Sequence, residues 1–126
     1  MKVLSITLCE SCIVDARTNL PSYINVYDEI IPRGIPFEIP HITFVFTFEK
    51  EVGDMDAPIP VRILFYVNSN VVNEKSTDIS FYGKKINRTI AGVFGFPILE
   101  AGILKIVVSL NGSDIYSNST VINTPP

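Results

Sequence analysis

His41-Ile42-Thr43-Phe44-Val45-Phe46-Thr47-Phe48-Glu49 alternates residue by residue. Ile42, Phe44, Phe46 and Phe48 fall on one side of an extended chain, with Thr43, Val45 and Thr47 on the other. Successive side chains of a strand point to opposite faces, so a period of two marks a strand with a buried face. Gly102–Leu110 (GILKIVVSL) repeats the pattern, and no stretch has the spacing of an amphipathic helix. Short runs of this kind, separated by Pro, Gly and Asn, predict antiparallel strands packed face to face. The fold class is therefore all-β: one antiparallel β-sandwich domain of about eight strands over residues 1–126.

Outward from that strand, Lys2 to about Val14 reads as a first strand with a bulge near Glu10-Ser11, since a flat strand that long is unusual. After a turn at Asn19–Ser22, Tyr23–Ile30 returns. Pro32, Pro36 and Pro40 keep the next segment out of any central ladder. Beyond His41–Glu49 come an acidic loop (Glu51–Pro58), a strand Pro60–Asn68, a polar connection to Ser76 and a short strand Thr77–Tyr82. Asn87–Phe96 follows, its Gly92 and Gly95 hinting at a bulge. Asn111-Gly112 joins Gly102–Leu110 to Ser113–Ile122 in a hairpin turn of type I′ preference. If the strands run alternately up and down, one end collects Asp15, Arg17, the acidic loop, Lys84-Lys85 and Asn111–Asp114.

Composition narrows the function. The chain is 47% apolar and 18% charged, against about 25% charged in soluble domains generally, with a mean hydropathy of +0.33. So much apolar surface on a small sandwich predicts a homo-oligomer or a protein partner, burying at least ~1,000 Å². A net charge of −3 and a pI near 5.0 argue against nucleic acid. No run approaches the ~18 apolar residues of a membrane span. In the opening MKVLSITLCESC, the apolar stretch is short, broken by Ser5 and Thr7, and stopped by Glu10, so it reads as a strand rather than an export signal. The sequons at Asn87, Asn111 and Asn118 then read as turn and strand polars, and the expected location is cytoplasmic.

Leu8-Cys9-Glu10, Val14-Asp15-Ala16, Tyr27-Asp28-Glu29-Ile30 and Pro36-Phe37-Glu38-Ile39-Pro40-His41 lead into the alternating strand. Phe96-Pro97-Ile98-Leu99, then Gly102 and an apolar strand, run into Asn111-Gly112. In that order they resemble a family of small uncharacterised prokaryotic β-sandwich proteins, a domain of unknown function. The resemblance spans most of the chain and rests on turn and core residues. The more familiar members usually carry an aromatic residue two positions after the glycine, where this chain has Leu104. It implies an immunoglobulin-like sandwich and carries over no catalytic residue.

Candidate chemistry is sparse. Cys9-Glu10-Ser11-Cys12 has the spacing of a redox pair or half a zinc site. The chain offers no other cysteine and one histidine, and a strand setting does not lower a thiol pKa, so two ordinary thiols are expected. His41 lacks the partners of a nucleophilic mechanism and reads as a polar residue opening its strand. Asp28-Glu29 and Asp54/Asp56 are not forced into the spacing of acid–base hydrolysis. Tyr23 and Tyr27 share a face of the second strand and are the aromatic pair to inspect for sugar binding. Glu51, Asp54 and Asp56, around the flexible Gly53, offer hard oxygen ligands suited to Ca²⁺; Lys84, Lys85 and Arg88 could neutralise them instead. The reading is a non-enzymatic structural or protein-interaction module acting through a sheet face or edge, without a cofactor. The alternative is a ligand-binding module that holds Ca²⁺ or a small molecule in the acidic loop, residues 49–56.

Overall fold

Each alternating run forms a strand in the computed structural model, which describes residues 1–126 and contains no helix. The strands are β1 (Lys2–Val14), β2 (Pro21–Val26), β3 (Glu29–Ile30), β4 (Phe37–Glu49), β5 (Ile59–Val67), β6 (Asn70–Ile79), β7 (Ile86–Ile98), β8 (Gly102–Leu110) and β9 (Ser113–Ile122). One sheet has the order β2-β1-β4-β7 and the other β3-β9-β8-β5-β6. All pairings are antiparallel except that of β3 with β9. The chain crosses between sheets from β4 to β5, returns from β6 to β7, and crosses again to β8. That places β4 and β7 where an immunoglobulin-like sandwich has strands B and E, and β5, β8 and β9 where it has C, F and G. The fold is an immunoglobulin-like β-sandwich.

Between the sheets lies one core of 21 buried residues. Ile42, Phe44, Phe46 and Phe48 of β4 meet Leu104, Ile106 and Val108 of β8 there, as their alternation predicts, while Leu110 sits half-buried at the margin. Phe44 packs edge-on against Phe65 of β5 at 4.9 Å between ring centroids. At the β8–β9 turn, Asn111 and Gly112 both have positive φ, 51° and 80°, the backbone a type I′ turn requires.

Four expectations change. The structure has a ninth strand, because Glu29-Ile30 leaves the path of β2 and joins the opposite sheet beside β9. Phe37–Pro40 does enter a ladder, extending β4 alongside β7. Pro40 falls opposite Gly95, whose φ is +70°, between the pairs Ile39–Phe96 and His41–Phe94. Both strands switch faces there: Ile39 and Ile42 are buried on one side, three positions apart, and Phe96 lies likewise three beyond Val93. The missing proline N–H thus coincides with a kink where the ladder is interrupted. The polar stretch after Asn68 is also a strand, β6; as an edge strand it needs to bury little, and its Asn, Glu, Lys and Ser side chains keep the edge wet. Finally, the register shift in β1 falls at Val3–Ser5, while near Glu10-Ser11 the strand bends and the Glu10–Asn25 pair, with Asn25 at a φ of 53°, drops out of the ladder.

Candidate interaction surface

Thr43 and Val45 point away from the core, on the face that carries Cys9 and Thr7 across the ladder. Half of that face ought to be wet, yet Val45 is 0% exposed. The cover is the chain's own. Beyond Cys9, β1 exchanges β4 for β2 as its partner, and the β1–β2 hairpin bends across the outer face as an arm. Three contacts hold it: the Thr43 hydroxyl donates to the Glu10 carbonyl at 3.0 Å, the Cys9 thiol lies 3.8 Å from the Thr43 carbonyl, and Arg88 Nη1 of β7 donates to the Asn19 carbonyl at 3.3 Å. Asn19 is in the turn of the arm, and Arg88 stands two strands away from β1. The arm therefore lies diagonally over the sheet, and Arg88 Nε is buried beneath it without a partner.

The arm's turn is closed locally. The Asp15 carboxylate accepts from the backbone N–H groups of Arg17 and Thr18 at 2.8 and 3.1 Å, which hold its pKa below the ordinary carboxylate value. The arm leaves Ile13, Leu20, Tyr23, Ile24 and Val26 exposed.

β7 is the outer strand of the same sheet, with its second edge open. The Lys50 N–H donates to the Lys85 carbonyl. In an antiparallel ladder of that register, the odd-numbered residues of β7 bond to β4, and Ile86, Arg88, Ile90, Gly92 and Phe94 direct their backbone groups to the open edge. Their side chains share the outer face with Val45. Ile86 and Ile90 are exposed, and Phe94 is 82% exposed. His41 stacks on Phe94 with ring centroids 4.6 Å apart. A Cβ on Gly92 would stand 3.2 Å from His41 Nε2, so the glycine gives the ring its seat.

The acidic loop is turned to other partners. Asp54 accepts from the Met1 ammonium at 2.7 Å and from the Glu51 N–H at 2.8 Å; the ammonium, then that N–H, hold its pKa below the usual value. Glu51 lies 3.6 Å from the same ammonium, and Asp56 pairs with Lys50. No three of the chain's His, Cys, Asp and Glu side chains converge as metal ligands would. Asp15 is held in its own turn, and Asp114 lines a polar groove on the other sheet with Arg62, Ser76, Asp78 and Ser109. Cys9 and Cys12 are both free thiols; burial, then the neighbouring Cys12, push the Cys9 pKa up. Tyr23 and Tyr27 form no common platform. Tyr23 stays exposed on β2, whereas Tyr27 has left the strand and packs against the core.

Sequence reading named a sheet face or edge without saying which, and it missed the arm. The length of β1 gave no signal, since β1, β4 and β7 are all 13 residues long and β4 and β7 line the core. No protein-family model matches the chain, and no curated protein does. Among solved structures it is similar to an immunoglobulin-like protein from Pseudomonas aeruginosa, at 10% identity and a TM-score of 0.47, over 97% of this chain and 95% of that one.

Proposed function

We propose that the protein is a non-enzymatic interaction module whose docking surface is the open edge of β7 with the adjoining outer face. One observation carries this reading: the nine-residue edge Ile86–Phe94 (INRTIAGVF) is undefended. Natural sheets blunt exposed edges with charges, bulges or covering segments, because unpaired N–H and C=O groups template pairing. Here the stretch holds one charge, Arg88, and its guanidinium is committed to the arm. Ile86, Ile90 and Phe94 add apolar side chains beside the free backbone groups, which is the arrangement β-strand addition uses. The competing calcium reading loses support because Asp54 and Asp56 already have cationic partners. Two unbridged thiols suit a reducing, cytoplasmic setting. No helix is long and apolar enough to cross a membrane.

Sedimentation of the fluorescently labelled chain at micromolar concentration in cell extract tests the reading. The wild type is expected to run well above 14.0 kDa, and Ile90→Lys, which sets a charge on the edge, to run as the free chain. A wild type that sediments free, or association that ignores Ile90→Lys, refutes the edge as the docking surface.

A further inference from the structure

We infer that the occupant of the β7 edge is a second copy of this chain, paired antiparallel about a twofold axis at Ile90; this rests on the edge reading above. The argument comes from the order of residues along the edge. Ile86, Arg88, Ile90, Gly92 and Phe94 face it with their backbone groups and carry their side chains on one face. The exposed apolar members, 86, 90 and 94, are symmetric about Ile90. An antiparallel copy in this register sets Ile86 opposite the partner's Phe94, Ile90 opposite the partner's Ile90, and Arg88 opposite the partner's Gly92.

Every exposed apolar side chain on the rim then gains an apolar neighbour, and such cross-strand pairs are the unit of sheet stability. Arg88, long and charged, faces a residue with no side chain. The two Arg88 positions end up four residues apart along the strands, roughly 13 Å, beyond the ~8 Å range of exposed charges at physiological salt. Other registers do worse: an axis at Thr89 sets Ile90 opposite the partner's Arg88, and one at Ala91 sets it opposite the partner's Gly92. An axis at Arg88 sets Phe94 opposite the partner's Tyr82, beyond the end of β7, and leaves it without a strand partner. An axis at Gly92 centres two glycines and sets Ile86 against Ile98, which lies past the kink and is buried in the core. An unrelated peptide would satisfy the backbone groups without using the symmetry of the side chains. Pairing would join two four-stranded sheets into one continuous sheet.

The purified chain, studied alone, tests this. Analytical ultracentrifugation at micromolar concentration is expected to show a species of twice 14.0 kDa. Ile90→Lys places like charges face to face on the axis and should weaken association at least about tenfold. Val52→Lys, in an exposed loop, should leave it unchanged. Amide exchange on the wild type supplies a second readout that needs no variant. Ile90 and Gly92 amides should be protected at high concentration and lose protection on dilution. A monomeric wild type, a dimer indifferent to Ile90→Lys, or a dimer whose Ile90 amide stays unprotected would each overturn the inference. If the pure chain is monomeric yet edge-dependent association persists in extract, the twofold pairing fails while the edge reading survives.

Discussion

Replacing Phe44 by alanine tests whether β4 ties the two sheets into one core. The side chain is 0% exposed. Its ring meets Phe65 of β5 at 4.9 Å and Phe96 of β7 at 5.8 Å, both at tilted or edge-on angles. Truncating a buried phenylalanine costs about 3–5 kcal/mol. Two aromatic partners, each worth about 0.5–1.5 kcal/mol beyond burial, place Phe44→Ala at the upper end, about 4–5 kcal/mol. That is a large share of the about 5–15 kcal/mol that holds a domain folded. The assay is urea denaturation at a protein concentration low enough to keep the chain monomeric, because self-association would otherwise add its own stabilisation, at Phe94 above all. The midpoint should fall with an unchanged slope. Phe94→Ala is the internal control, with the same chemistry on an alternating strand. Phe94 is mostly exposed and has its His41 stack to lose, so the expected cost is below about 1 kcal/mol. A Phe44→Ala loss under about 1.5 kcal/mol, or equal losses at the two sites, would refute the assignment of faces.

Asp54 predicts a pH dependence. Its folded pKa is lowered by the Met1 ammonium and the Glu51 N–H, so its contribution is present above the unfolded value of about 3.9 and is lost as pH falls through the folded value. The urea midpoints of wild type and Asp54→Asn should therefore differ at neutral pH and converge in acid; a gap that widens in acid contradicts the pairing. With a thiol reagent under native conditions, half-buried Cys12 should react and fully buried Cys9 should not, both reacting in urea; equal native rates would mean that the arm does not cover Cys9. Gly102 has a φ of +140°, and a Cβ there would overlap the Asn68 side chain, which accepts from the Ile103 N–H and donates to the Ala101 carbonyl. Gly102→Ala should cost at least about 2 kcal/mol in the same denaturation assay, through strain and the lost bridge; a neutral result would contradict this backbone.

The strands that read most clearly in sequence are those whose surroundings are simplest. β8 and β9 keep their expected bounds, and the inward set of β4 is the one its alternation names. Local chemistry also suffices for the Asn111-Gly112 turn, since few residues accept two successive positive φ values. Prolines misled at Pro40. A missing donor excludes a residue from a regular ladder, and although Gly95 hints at an irregularity, nothing local places it level with Pro40 on another strand. The polar β6 misled for a related reason, because burial decides a central strand and hardly constrains an edge.

The acidic loop shows the same division. Sequence places Glu51, Asp54 and Asp56 within one short loop, as calcium ligands would be. Folding decides where their charges go, and it delivers Lys50 and the Met1 ammonium to them.

What the sequence determined by itself is the all-β class, the two inward faces and the hairpin turn, because each follows from side-chain alternation or backbone dihedral preference within a few neighbouring residues. Only the tertiary structure decided that the far half of β1 would fold over Val45 and that β7 would be left open. Which apolar face is covered, and by what, depends on contacts between residues far apart in the chain, such as Asn19 and Arg88, which no local pattern encodes.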